Sequence, residues 1–210
     1  MSRTADFPKL RRGLVAILRG LVPSEAAATA SAIHASGIEA IEVPLNSPDP
    51  FASIAAIVRE LPASALVGAG TVVEAGQVDR LAGVGGRLLV SPNIDAEVMV
   101  AAKRYGLVTM PGVMSPTEAF QALRLGASAL KFFPASVLGA GGIAAMRAVL
   151  PGDTVVGAVG GVSNGDFAAY RSAGVTVIGL GASLFKPEAS IKEVAARASA
   201  AVAAWDAAFA

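Results

Sequence analysis

Two side chains stand out against their surroundings. Lys131 sits in the run Ala129-Leu130-Lys131-Phe132-Phe133-Pro134 and Glu42 in Ala40-Ile41-Glu42-Val43-Pro44-Leu45, each a short apolar stretch with one charge inside it. Burying an ammonium or a carboxylate is costly unless it has a partner or reaches water. Apolar surroundings favour the neutral amine and lower a lysine's pKa, which is what attack on a carbonyl requires. The same burial raises a carboxyl pKa toward the range useful for proton transfer. The structural alternatives are a strand-end lysine that extends to solvent and a plain ion pair of Glu42 with Lys131 or Arg19. Glu39, three residues before Glu42, falls on the opposite face of a strand and reads as an outward or bottom-facing residue.

Other groups could serve such a pair. Arg19, in Ile17-Leu18-Arg19-Gly20, can clamp a carboxylate bidentately, although an Arg before Gly at a strand end is also an ordinary feature. Thr71 ends Gly68-Ala69-Gly70-Thr71, where small residues let a ligand approach the backbone and the hydroxyl can bind an oxygen; a plain Gly-rich turn is the competing account. Gly160-Gly161 and Gly179-Leu180-Gly181-Ala182-Ser183 expose backbone N–H groups ahead of helix starts, a pattern suited to phosphate. The remaining lysines read as ordinary: Lys9 in a polar leader, Lys103 at a helix end, Lys186 in a loop before Pro187, and Lys192 in the terminal helix. His34, shortly before Gly37, reads as a helix-end residue.

These residues need a frame that brings them together. Short β-like runs are expected at Leu14 to Leu18, Ile38 to Val43, Leu66 to Ala69, Leu88 to Ser91, Leu107 to Met110, Ala129 to Phe132, Val155 to Val159 and Thr176 to Leu180. Helical stretches lie between them. Pro23-Ser24 and Asp49-Pro50 read as starts, with Asp49 as an N-cap. Ser115-Pro116-Thr117-Glu118 reads as a capping box and Ser163-Asn164 as a further cap. Gly37, Gly106, Gly126 and Gly174 stand as stops. The strand ends recur about every 23 residues, the length of one strand and its crossover helix. Eight such units without a reversal predict a single-domain (β/α)8 TIM barrel over residues 13–210, after a leader at 1–12, with the site at the carboxyl ends of the strands. A flavodoxin-like doubly wound sheet is the structural alternative.

Composition narrows the chemistry. The 210 residues are 54% hydrophobic and 16% charged, with 17 basic against 16 acidic side chains, one His and no Cys. Thiolate chemistry, disulfides and a His-rich metal centre are therefore unavailable. A net charge of +1 with scattered signs offers no electrostatic footprint for nucleic acid or an anionic membrane. No apolar run reaches the roughly 18 to 20 residues of a membrane span, and the run after the leader is too short for a signal peptide, so a cytoplasmic location is expected. Charge below the usual figure of about 25% points to a large interior or an oligomer.

The motifs also carry a resemblance. Leu18-Arg19-Gly20, Ile41-Glu42-Val43-Pro44-Leu45-Asn46-Ser47-Pro48, Gly68-Ala69-Gly70-Thr71-Val72, Ser91-Pro92-Asn93, Pro111-Gly112, Leu130-Lys131-Phe132-Phe133-Pro134-Ala135, Gly160-Gly161-Val162 and Gly181-Ala182-Ser183-Leu184-Phe185 resemble, in order, the 2-keto-3-deoxy-6-phosphogluconate and -phosphogalactonate aldolases. The resemblance spans about Leu14 to Pro187. It implies a class I aldolase that reversibly cleaves a 2-keto-3-deoxy-6-phospho sugar acid to pyruvate and D-glyceraldehyde 3-phosphate, working as a cytoplasmic homotrimer without metal or cofactor. By match to the family motifs, Lys131 would form the Schiff base and Glu42 would move protons, partly through a water. Arg19 and Thr71 would hold the pyruvate carboxylate, and Pro92 and Phe133 would shape the pocket. Gly160, Gly161, Gly181 and Ser183 would take the phosphate.

Departures from the gluconate type bear on the branch. The gluconate type resembles Val-Thr-Leu-Arg-Thr after the catalytic Glu, where this chain has Val43-Pro44-Leu45-Asn46-Ser47, and Pro-Thr before the Gly pair, where it has Ala158-Val159. Both departures resemble the galactonate type. Loss of the Arg shifts carboxylate binding toward Arg19, and Val159 removes a hydroxyl that could contact a substrate OH, a change able to set discrimination between epimers. The alternatives are the same reaction on the gluconate epimer and, in another class, a phospho-sugar sensor or a barrel isomerase using the same phosphate site.

Overall fold

The computed structural model describes residues 5–210. Nine parallel strand segments form one sheet: β1 (Leu14–Ile17), β2 (Ala40–Pro44), β3 (Leu66–Gly70), β4 (Leu88–Val90), β5 (Val108–Met110), β6 (Gly112–Val113), β7 (Leu130–Phe132), β8 (Val156–Val159) and β9 (Val177–Leu180). The helices between and after them are α1 (Pro23–Ala35), α2 (Pro50–Glu60), α3 (Ala75–Gly83), α4 (Ala96–Arg104), α5 (Pro116–Arg124), α6 (Ala135–Arg147), α7 (Phe167–Ser172) and α8 (Ile191–Phe209). Spatial order runs β5-β4-β3-β2-β1-β9-β8-β7-β6. The fold is the (β/α)8 barrel in place of the doubly wound sheet.

The extra segment comes from one stave broken in two. Pro111 has no N–H to give to a ladder, so β5 pairs with β4 while β6 pairs with β7. Both halves are nevertheless stitched to the next stave: Ala129 N–H donates to the Thr109 carbonyl at 3.0 Å, Lys131 N–H to Pro111 at 2.9 Å and Phe133 N–H to Val113 at 3.1 Å. These bonds close the ring.

Strand alternation divides the interior into two cores. Leu14, Ala16, Ile41, Val43, Leu130, Phe132, Ile178 and Leu180 point outward into the layer beneath the helices. Val15, Ile17, Ala40, Leu66, Leu88, Val90, Val108, Met110, Ala129, Val159 and Val177 fill the barrel itself. One two-residue step beyond Ala40 is Glu42, beyond Ala129 is Lys131 and beyond Ile17 is Arg19. The parity that packs the barrel thus also aims the charged residues along its axis.

Local signals were realised unevenly. Ser115 and Glu118 form the expected capping box, and Asp166 accepts from both the N–H and the hydroxyl of Ser163 at 2.8 and 2.7 Å. The stops at Gly37, Gly106, Gly126 and Gly174 all take left-handed backbone. Asp49 departs from expectation: its backbone is left-handed, with φ 37°, and its side chain caps nothing. Its carbonyl instead accepts the Ser53 N–H at 3.2 Å.

The end of the barrel away from the site is sealed by residues early and late in the chain. Ala5, Phe7 and Leu10 pack against the barrel core. The Arg12 guanidinium meets the Asp206 carboxylate of α8 with two bonds of 2.7 Å. Among the described residues no helix is long and apolar enough to cross a membrane.

Candidate active site

A cavity of about 460 Å³ opens at the carboxyl ends of the strands. Its wall brings together Arg19 after β1, Glu42 in β2, Thr71 after β3, Pro92 after β4, Lys131 in β7 and Phe133 just beyond. Val159, Gly160 and Gly161 close one side from β8, and Gly181 and Ser183 from β9. Every residue singled out from the sequence for binding or chemistry therefore lies on one surface. Lys186 does too, although its sequence context reads as an ordinary loop. The signal that could have found it is its position five residues past the Gly181 turn.

Glu42 is 3% exposed and Lys131 6%. They do not form the direct ion pair considered above: among the described residues the one ion pair within 4.0 Å is Arg12–Asp206. Glu42 Oε2 is buried with no hydrogen-bond partner. Lys131 Nζ donates to the Ser91 carbonyl at 3.3 Å and lies 4.5 Å from the centre of the Phe133 ring. Burial pushes the Glu42 carboxyl up to about 7, opposed by the charges of Lys131 and Arg19. Burial likewise pulls the Lys131 amine down to about 8, with Glu42 opposing the shift and Arg19 adding to it. A buried acid left unpaired beside an amine of lowered basicity is a pattern typical of functional sites.

Absent side chains make room for the pair. Glu42 lies beside Gly68 in β3, and Lys131 lies beside Gly157 in β8. At Gly70 even a Cβ would fall 2.1 Å from Glu42 Oε2, so any other residue would displace the carboxylate. Thr71, the next residue, has φ 57°, a left-handed conformation that is unfavourable for a β-branched side chain. Strain of this kind concentrates at functional sites. Gly160 and Gly161 take φ 93° and 72°, giving a turn open to few other residues. Gly160, Gly161, Ala182 and Ser183 donate no N–H to a protein acceptor among the described residues, leaving those dipoles for an anion.

Arg19 has a specific support. Its Nη1 donates to the Asn46 Oδ1, while Ser47 Oγ accepts the Gly20 N–H at 2.9 Å. Asn46 thus acts on the site through the guanidinium it holds. No group of three or more His, Asp or Glu side chains among the described residues is placed to hold a metal ion.

The fold and the site together define the class: a (β/α)8 barrel with a buried amine, a buried carboxylate and an open glycine turn at its carboxyl face. The comparisons with known proteins agree. The family model "KDPG and KHG aldolase" matches residues 9–200, and the chain belongs to that family. It is 56% identical over 203 residues, covering 97% of this chain and 96% of the other, to a protein of Rhizobium meliloti (strain 1021) described as a probable 2-dehydro-3-deoxy-6-phosphogalactonate aldolase. It is 47% identical to the 2-dehydro-3-deoxy-6-phosphogalactonate aldolase of Escherichia coli (strain K12), covering 91% and 94%. A solved native KDPGal structure superposes with a TM-score of 0.94 at 45% identity, covering 97% and 98%. A designed cube-shaped protein cage made by fusing symmetric oligomeric domains superposes at 0.93 with 46% identity, covering 95% of this chain and 74% of the cage chain.

Proposed function

We propose that the chain catalyses the reversible cleavage of 2-dehydro-3-deoxy-6-phospho-D-galactonate to pyruvate and D-glyceraldehyde 3-phosphate through a Schiff base on Lys131. The observation that carries this reading is the buried Glu42 carboxylate, with Oε2 unsatisfied, at the same barrel mouth as the buried Lys131 amine and without a direct ion pair between them. A sensor that only held a phospho-sugar would gain nothing from leaving Glu42 Oε2 unsatisfied.

Neutral Lys131 adds through Nζ to the C2 ketone, and loss of water gives an iminium. The C3–C4 bond then breaks, its electrons moving onto the iminium nitrogen to form an enamine. The C4 hydroxyl proton passes to Glu42, and C4 becomes the aldehyde of D-glyceraldehyde 3-phosphate. Glu42 returns the proton to C3 of the enamine, and hydrolysis releases pyruvate and the free amine. A carboxyl whose pKa burial raises to about 7 can take up and give back this proton near neutral pH. Arg19 and Thr71 hold the substrate carboxylate, and Pro92 and Phe133 confine the pyruvyl unit. Gly160, Gly161, Gly181 and Ser183 bind the phosphate, whose distance from the breaking bond lets its binding orient the reacting carbons.

Relatives of the galactonate type and the apolar wall at Val159, 5% exposed, support the choice of epimer. A multiply anionic, phosphorylated substrate is handled inside the cell, so the enzyme works in the cytoplasm in galactonate breakdown. Apolar side chains on the surface, Val100 at 58% and Met114 at 43% exposed, support burial between copies in a homotrimer. The test is pyruvate release measured side by side on the two C4 epimers. Faster cleavage of the galactonate epimer is expected. Preference for the gluconate epimer contradicts the branch, and no cleavage of either contradicts the reading.

A further inference from the structure

Lys186 is the one cation on the cavity wall that the mechanism leaves unused. It follows β9 in Leu184-Phe185-Lys186-Pro187, and both neighbours are anchored. Phe185 is buried in the outer core. Pro187 lies over Gly20, where an added Cβ would stand only 2.7 Å from the proline Cγ. The loop after β9 therefore crosses to the loop after β1 and is pinned there, with Lys186 between the two anchors. The loop also turns back on itself there, since Ala189 N–H donates to the Lys186 carbonyl at 3.1 Å. The Lys186 side chain makes no ion pair with any described residue, and Glu188, two residues on, is not part of the cavity wall.

The proposed substrate is anionic at both ends, and the site's cations divide accordingly. Arg19, oriented by Asn46, suits the carboxylate end. The phosphate end has the N–H groups of Gly160, Gly161, Ala182 and Ser183 but no other positive side chain. Backbone dipoles orient a phosphate, and a lysine adds the full charge that a dianion calls for. We propose that Lys186 is a phosphate-binding residue of this site, closing the cradle made by Gly160-Gly161 and Gly181-Ala182-Ser183 from the β9–β1 rim.

This rests on the aldolase reading, so the experiment separates the two. The synthesis direction is measured with pyruvate and either D-glyceraldehyde 3-phosphate or D-glyceraldehyde, and the ratio of kcat/KM for the two aldehydes reports dependence on phosphate. In Lys186→Gln the ratio is expected to fall about tenfold, the change lying in KM for the phosphorylated aldehyde, while Lys186→Arg keeps it within about threefold of the original. An unchanged ratio in Lys186→Gln, or an equal loss on both aldehydes, overturns the role. If the unaltered enzyme adds pyruvate to neither aldehyde, the aldolase reading fails, and the role of Lys186 in that substrate fails with it.

Discussion

The two ends of the barrel treat buried charge in opposite ways. At the amino end Arg12, 9% exposed, is matched by Asp206 through two bonds of 2.7 Å. At the carboxyl end Glu42 and Lys131 are buried more deeply, yet they make no direct ion pair, and Glu42 Oε2 bonds to nothing. A charge that serves only the fold is satisfied within the fold. Charges that change protonation state in the proposed reaction are held short of satisfaction, and the cost of their burial displaces both pKa values toward neutrality.

The largest expected effect breaks the contrast at its active end. Lys131→Met removes the proposed nucleophile, and turnover in a coupled pyruvate assay should fall by at least about 10⁴-fold. The variant should stay folded, because Met replaces a buried amine with an apolar side chain of similar length and the Glu42 carboxyl left behind can take up a proton. Next is Glu42→Gln, which should lower kcat by about 10²- to 10⁴-fold. It also removes the negative charge that supports the Lys131 ammonium. The pH profile of Schiff-base formation should therefore move to lower pH in this variant; a move to higher pH would contradict the coupling.

Stability against pH sharpens the comparison, because the two ends carry opposite signs. The Glu42 pKa is raised from 4.5 to about 7, so its contribution to stability is greatest below 4.5 and is lost as pH rises to 7. The Lys131 pKa is lowered from 10.5 to about 8, so stability is regained between pH 8 and 10.5. The Asp206 carboxyl is held below its usual 3.8, chiefly by its hydrogen bond from Arg12; its contribution is present above that value and lost as pH falls through the lowered one. Denaturation curves should show Glu42→Gln abolishing the loss between pH 4.5 and 7 while keeping the acid limb. The smallest effect belongs to Arg12→Met. Asp206 is half-exposed and can be hydrated once alone, so the melting temperature should fall by only a few degrees, and kcat should stay within about twofold.

Much of this contrast was legible in the residues themselves. A two-residue step relates each strand's packing residues to its functional end, and each Gly stop before a strand is a local signal, so the eight staves and the residues at their tips could be read from short segments. What was missed depends on distant contacts or on competing local solutions. The split of the fifth stave follows from which neighbours compete for the backbone around Pro111. Asp49-Pro50 has the composition of a capped start, but the chain satisfies that turn through the Asp49 carbonyl. Lys186 lies on the cavity wall beside Pro187, which approaches Gly20 from far along the chain, and the Arg12–Asp206 pair joins positions 194 residues apart. No local periodicity encodes contacts of that range.

In the proposed mechanism the amine of Lys131 is the one that meets the ketone. Incubation of the enzyme with pyruvate and borohydride, followed by intact mass and peptide mapping, tests it directly. The account predicts one reduced pyruvyl adduct per chain, located on Lys131 and lost in Lys131→Met. An adduct on Lys103 or Lys186, or none at all, would contradict it.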